Sequence, residues 1–214
     1  MNVEEILHRL EREYGVRRWQ PNGNPISVLI GTILSQNTSD VNSKRAFESL
    51  LTTFSSWERV ADAGVENISR AIKSGGLANI KARRIKEVLL KIEERRDSLD
   101  LSFLKEFPLP EAKAWLEQLP GVGPKTAACV LLFGLGRPAM PVDTHVFRVA
   151  NRLGLINSNT SPREAQELLE SQLPPPYIYQ LHLHLIEHGR KVCRARQPRC
   201  PECVLWEGCP AGGY

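Results

Sequence analysis

The chain has 214 residues, of which 42% are hydrophobic and 24% are charged, and its formal net charge is +4. This composition supports a packed core and argues against a disordered protein, and no apolar run approaches the roughly 20 residues of a membrane-spanning helix. The first residues lack the basic start and apolar centre of a secretory signal, so we expect a cytoplasmic protein with no membrane partner.

Apolar residues recur at helical spacing along nearly all of the chain, and alternating strand-like runs are missing. We therefore predict an all-α fold. Glycine pairs and proline runs interrupt the pattern where turns are expected, as at residues 75–76 and 174–176. The predicted helices span residues 3–14, 25–36, 40–53, 57–74, 80–96, 110–119, 125–134, 144–154, 162–172 and 176–191.

Positive charge concentrates in two stretches. Residues 81–96 are rich in Lys and Arg but also contain Glu, so a solvated helix face and a DNA contact both remain open. Residues 190–199 contain five basic side chains and no acidic one, which makes this stretch the stronger candidate for binding phosphates.

A tight turn within the sequence LPGVGPKTA, residues 119–127, joins two predicted helices. Gly121 and Gly123 lack Cβ atoms, so the chain can adopt positive φ angles and its N–H groups can approach a phosphate closely. Lys125 then lies in the first turn of the next helix, where the helix dipole disfavours a cation and should lower the pKa of the amine. We predict a nucleophilic Lys125, with a solvated surface lysine as the alternative.

Four of the five cysteines end the chain with the spacing C-x6-C-x2-C-x5-C. They are Cys193, Cys200, Cys203 and Cys209. Two disulfides would not persist in a reducing compartment, and zinc sites commonly use two close cysteine pairs where this chain has one. A 4Fe-4S cluster is larger, so longer spacers become loops that wrap it. We therefore favour the cluster, with zinc as the rival.

The first cysteine spacer carries three arginines, Arg194, Arg196 and Arg199. A loop that is held at both ends by metal ligands loses little entropy when its arginines engage a DNA backbone. We predict a phosphate clamp. The alternative is that these arginines only balance the negative charge of the cluster.

Several motifs together resemble those of the endonuclease III family of DNA glycosylases. Residues 119–127 resemble the helix-hairpin-helix motif of that family, and residues 141–148, PVDTHVFR, resemble its catalytic-aspartate motif. The cysteine spacing matches the family's cluster, and LSQNTSD at 34–40 and GLANIKA at 76–82 match as well. The resemblance covers roughly residues 25 to 209.

The resemblance implies two packed helical domains, a six-helix domain at 23–137 with the hairpin and a second at 1–22 plus 138–214 with the cluster. DNA would lie across the cleft between them. It also implies that Lys125 attacks the sugar, and that Asp143 stabilises positive charge on the sugar and assists proton transfer. A helix N-cap is the plainer reading of Asp143.

DNA contacts are implied for Gly121, Val122 and Gly123, with Leu77 as a wedge and Asn37 filling the space of the flipped base. The plainer alternatives are a core leucine for Leu77 and a turn or cap for Asn37.

The implied function is base excision repair by a DNA glycosylase with abasic-site lyase activity that removes oxidised pyrimidines from double-stranded DNA. We expect a monomer of bacterial or archaeal type, associated with the nucleoid. Asn37, Ala78 and Pro124 depart from the family pattern, so uracil or mismatched thymine remains an alternative substrate. Outside this class, a non-catalytic DNA-binding module and an iron-sulfur electron carrier also remain open.

Overall fold

The structure, a computed structural model, describes residues 1–20 and 23–213 of the chain. No residue in these ranges lies in a β-strand, so the predicted all-α class is confirmed. Within the same ranges no helix has both the length and the apolar character to cross a bilayer. The predicted domain boundary at residue 22 falls outside the described residues.

Eleven α-helices are formed in the described part of the chain. They are α1 (Val3–Tyr14), α2 (Pro25–Ser35), α3 (Asp40–Phe54), α4 (Trp57–Asp62), α5 (Val65–Ala71), α6 (Ala78–Arg96), α7 (Leu109–Glu117), α8 (Pro124–Cys129), α9 (Thr144–Arg152), α10 (Pro162–Ser171) and α11 (Ile178–Lys191). A π-helical turn, Val130–Gly134, continues α8, and the C-terminal segment forms short 3-10 turns.

The chain divides into two compact units. The continuous unit is Pro21–Arg137, and the split unit joins Met1–Gln20 to Pro138–Tyr214. In the split unit α11 packs against α1 and α9. In the continuous unit α2 packs against α3, α6 and α8.

Helix α2 is the centre of the continuous unit because it is apolar on almost every side. Its side chains Ile26, Leu29, Ile30 and Ile33 are buried, so neighbouring helices must surround it. The helix begins where the Asn24 side chain accepts a hydrogen bond from the backbone of the first turn. At its C-terminal end Ile33 and Leu34 are buried, so the segment that follows starts from the core.

The prediction of one helix over residues 57–74 is wrong. Helices α4 and α5 are separated at Ala63 and Gly64, whose backbones are extended with ψ of 149° and 145°. Gly64 is the N-cap of α5, and the Nζ of Lys86 donates a hydrogen bond of 2.7 Å to the Ala63 carbonyl. This contact between residues far apart in sequence helps to stabilise the break. The other predicted helices begin within two residues of the observed ones.

Candidate nucleic-acid and metal sites

The glycine turn between α7 and α8 uses its two glycines differently. Gly121 has φ of 70°, in the left-handed region that favours glycine. Gly123 has φ of −100° and ψ of −179°, which is extended backbone, because it is the N-cap of α8. The expected positive φ therefore holds for Gly121 alone. Between them Val122 is buried, and its N–H donates to the Leu119 carbonyl at 3.1 Å.

Arg84 of α6 lies directly against this turn. A Cβ atom on Gly121 would collide with the Arg84 guanidinium group. The Nη1 atom of Arg84 donates a hydrogen bond of 2.6 Å to Oε1 of Gln36, which follows α2. Arg84 thus joins the turn to the segment after α2. In the sequence Arg84 is only one member of a basic stretch.

Lys125 is the second residue of α8, after Pro124 at the first position. Its side chain is half-buried, and the four residues that follow it in the helix are buried. The core therefore anchors α8 directly behind the lysine. Lys125 belongs to the continuous unit.

Asp143 belongs to the split unit, where it is the N-cap of α9. Its Oδ1 atom accepts hydrogen bonds of 2.8 Å from the backbone N–H groups of His145 and Val146. The plainer N-cap reading is therefore observed. These contacts engage one carboxylate oxygen and fix the orientation of the whole group.

Leu77 and Asn37 both lie on exposed loops of the continuous unit. Leu77 is 51% exposed, so it is not a core leucine. It has φ of 49°, and Asn37 has φ of 53°, so both non-glycine residues adopt the left-handed conformation. Asn37 is not the cap of α3, because Ser39 takes that position.

Lys81 is a buried residue that was not predicted from the sequence. It is 2% exposed, and its Nζ donates hydrogen bonds to the carbonyl oxygens of Leu34 at 2.7 Å and Gly75 at 2.8 Å. Burial lowers the pKa of this amine. A signal was present, because Lys81 precedes Ile85 and Val88 at the spacing of one buried helix face.

The four C-terminal cysteines line one cavity of about 240 Å³ in the split unit, together with Arg152 and His188. All four are free thiols, so the structure contains no disulfide between them. Arg152 Nη1 and His188 Nε2 each lie 3.4 Å from a sulfur, that of Cys193 and that of Cys203 respectively. Burial raises the pKa of the Cys203 thiol. Among the described residues no three His, Cys, Asp or Glu side chains converge as ligands of a metal ion.

The arginine loop, residues 194–199, has a fixed backbone and exposed side chains. Arg152 donates hydrogen bonds to the carbonyl oxygens of Arg194 at 2.7 Å and Ala195 at 3.2 Å. Arg199 forms a surface ion pair of 3.4 Å with Glu202. Arg194 and Arg196 lie exposed beside it.

Comparisons with known proteins agree on one family. Residues 30–175 match the HhH-GPD superfamily of base excision DNA repair proteins. The chain is 35% identical over 207 residues to endonuclease III of Thermotoga maritima, which covers 97% of this chain and 92% of that protein. It is 40% identical over 165 residues to a candidate DNA glycosylase of Arabidopsis thaliana, which covers 77% of this chain, and the chain spans 56% of that protein's length.

A solved structure of endonuclease III trapped in a covalent intermediate with DNA has the same fold. The TM-score is 0.84 and the sequence identity is 28%, and the match covers 98% of this chain and 95% of the other.

Proposed function

Because the chain belongs to the HhH-GPD superfamily of base excision DNA repair proteins, as a DNA glycosylase and lyase of the endonuclease III type, we propose that it removes oxidised pyrimidines from double-stranded DNA through Lys125. It acts as a monomer. The observation that carries this proposal is the position of Lys125, in the first turn of a core-anchored helix and two residues beyond Gly123.

The turn before Lys125 is suited to bind a phosphate. The backbone N–H groups of Gly121 and Gly123 form no backbone hydrogen bond within the described residues. An added Cβ at Gly123 would meet nothing within 4 Å, so the space in front of it is open to a DNA backbone. A phosphate held there by N–H groups would bring its sugar towards the Lys125 amine.

The reaction starts when the amine of Lys125 donates its electron pair to C1′ of the sugar. The glycosidic C1′–N bond breaks, and the base leaves with the electron pair of that bond and takes up a proton. The nitrogen then loses one proton, the C1′–O4′ bond breaks and O4′ takes up a proton, which leaves a protonated Schiff base between the nitrogen and C1′. Loss of a proton from C2′ breaks the bond between C3′ and its oxygen, and this elimination cuts the strand on the 3′ side.

Asp143 supports the first step electrostatically. A carboxylate near the sugar stabilises the positive charge that develops as the base departs, and it can assist proton transfer during the reaction. The two N-cap hydrogen bonds hold Oδ1 in place, so the carboxylate is oriented before substrate arrives.

The damaged nucleotide must leave the base stack before Lys125 can reach its sugar. Leu77 enters the stack as a wedge, and Asn37 fills the vacated space; the exposure of both side chains supports these roles. The arginine loop binds DNA phosphates through Arg194, Arg196 and Arg199. The surface ion pair between Arg199 and Glu202 is weak, so Arg199 can leave Glu202 and bind a phosphate instead.

The four cysteines would hold a 4Fe-4S cluster. Four thiols around one cavity of about 240 Å³ suit a group larger than a single metal ion. When bound, the cluster supplies a rigid covalent tie among distant points of the C-terminal segment. Cys193 and Cys200 then anchor both ends of the arginine loop. Metal and sulfide analysis of the purified protein tests this assignment. Zinc in place of iron and sulfide would contradict a 4Fe-4S cluster.

Borohydride trapping tests the role of Lys125, because it reduces the Schiff base to a permanent bond. The native chain should form a covalent adduct with DNA that contains an abasic site, and Lys125→Ala should form none. Lys105→Ala is the control, since Lys105 is an exposed lysine of the same unit and should leave the adduct unchanged. If no lysine is trapped, the chain is a binding module or a glycosylase without lyase activity.

A panel of duplexes with single damaged bases tests the substrate. Each duplex is scored for base release separately from strand cleavage. We expect release of thymine glycol to exceed release of uracil and of mismatched thymine. The opposite order would replace the proposed substrate with the alternative one.

A further inference from the structure

Both loops that we propose enter DNA contain a non-glycine residue in the left-handed conformation. Asparagine tolerates this conformation at position 37, whereas it is strained for the leucine at position 77. Strained residues persist only where the surrounding structure imposes their conformation. Both side chains are also exposed, so their own packing does not supply that constraint.

Lys81 connects the two loops from inside the continuous unit. Its Nζ contacts the carbonyl of Leu34, three residues before Asn37, and the carbonyl of Gly75, two residues before Leu77. Its backbone N–H donates to the carbonyl of Leu77 at 3.0 Å, which is the first hydrogen bond of α6 and does not depend on the side chain. The side chain of Lys81 therefore holds the chain shortly before the strained leucine and shortly before the asparagine.

The two carbonyls that Lys81 contacts lie at helix ends. Leu34 is in the last turn of α2, and Gly75 ends the 3-10 turn Lys73–Gly75. Carbonyls at such ends have no partner within their helix and carry partial negative charge, so a cation satisfies them. Lys81 thus completes two helix ends at the points where the chain turns outward.

Burying this ammonium group is costly. Within residues 1–20 and 23–213, Lys81 is the one lysine or arginine in the buried class. An apolar side chain of similar volume would fill the same space without the cost of desolvation, and in some proteins a buried charge is retained because it fixes one conformation.

We propose that Lys81 is a positioning residue for the reaction: it fixes Leu77 and Asn37 in the conformations that open the base stack. This inference rests on the proposed function. Lys81 has no contact with the reacting atoms in this scheme, and its effect passes through the two loops.

The test compares two reactions of the same variant. Excision of a base from an intact damaged duplex needs the stack to open, whereas cleavage at a preformed abasic site has no base to extract. Lys81→Met keeps the length of the side chain and removes the donors. We expect it to slow single-turnover base excision by about a hundredfold, which is the size of effect that a misplaced group can have. Abasic-site cleavage should slow by only about tenfold.

Lys86→Met is the matched control. Lys86 lies on the same helix and also donates a side-chain hydrogen bond to a backbone carbonyl, but that carbonyl belongs to Ala63. Its removal should change the two rates equally. An unchanged ratio of the two rates in Lys81→Met would overturn the positioning role, whereas absence of both reactions in the native chain would reject the proposed function instead.

A double-mutant cycle tests whether Lys81 acts through Leu77. Leu77→Ala alone should slow excision, and adding Lys81→Met to it should slow excision by less than about threefold more, because coupled residues are not additive. Additive losses would contradict the inference.

If Lys81→Met does not fold, Lys81→Gln, which retains one donor group, takes its place. Failure of both to fold would make Lys81 a general core residue and reject the positioning role.

Discussion

The two glycines of the turn before Lys125 should respond in opposite ways to the same change. Gly121→Ala is predicted to destabilise the fold, and Gly123→Ala is predicted to weaken DNA binding with little effect on stability. The difference follows from their backbones, since φ is 70° at Gly121 and −100° at Gly123. The two variants therefore control for each other.

The cost at Gly121 has two sources. An alanine in the left-handed region costs roughly 1–2 kcal/mol, offset by about 0.4–1 kcal/mol from the lower entropy of the unfolded chain. The new Cβ would also displace the Arg84 guanidinium, and the lost hydrogen bond to Gln36 adds about 1 kcal/mol. The total is about 2 kcal/mol, which lowers the Tm of a chain of this size by roughly 4–8 °C.

At Gly123 the backbone is acceptable to alanine, and the new Cβ meets nothing within 4 Å. We expect a Tm within about 2 °C of the native value, since a small loss at the N-cap is offset by the unfolded-state gain. The methyl group would instead hold a phosphate away from the N–H groups. Loss of one charge-assisted hydrogen bond should raise the Kd for duplex DNA by about tenfold.

Thermal unfolding followed by circular dichroism measures the first effect, and fluorescence anisotropy with labelled duplex measures the second. A Gly121→Ala variant that melts with the native chain would refute the argument from backbone strain. A Gly123→Ala variant with native affinity would show that no phosphate approaches this glycine.

Two further predictions concern charge in the split unit. Glu187 accepts hydrogen bonds from Lys191 and Arg17, and the Lys191 contact is the main cause of its lowered pKa. The stability that Glu187 contributes is therefore present above the ordinary carboxyl pKa and is lost as the pH falls through the lowered pKa. Glu187→Gln should therefore lower the free energy of unfolding by about 1 kcal/mol at neutral pH and not at all in strong acid. Denaturant unfolding that gives the same loss at both pH values would disprove this. Arg194→Ala with Arg196→Ala should reduce the slope of log Kd against log salt by about 1–2, and an unchanged slope would remove the phosphate clamp.

Helix positions were predictable where the sequence carries local signals. The start of α2 follows from Asn24 and Pro25, and the start of α8 follows from Pro124, because caps and first-turn prolines act within a few residues. The break at Ala63 was missed because part of its stabilisation comes from Lys86, 23 residues away in sequence. No pattern within a helical window reports such a partner.

The residues of the candidate site also differ in whether local sequence signals predict them. Asp143 as an N-cap, the exposed arginines and the shared cavity of the four cysteines all follow from short motifs. The roles of Lys81 and Arg84 do not, because a lysine on a basic helix looks the same in sequence whether it points to solvent or to a carbonyl. The one usable signal was the alignment of Lys81 with the apolar face of α6.

These two basic residues show that part of the stretch at 81–96 has a structural role within the protein. It had been open whether that stretch is a solvated face or a DNA contact, yet Lys81 and Arg84 both point towards other parts of the protein. Lys81 holds the segments before Asn37 and Leu77, and Arg84 holds Gln36 and lies against Gly121. Helix α6 therefore supports every segment of the continuous unit that we propose meets the DNA. Since these contacts share one helix, a shift of α6 would move the wedge, the filling residue and the turn before Lys125 together, and their spacing would be preserved.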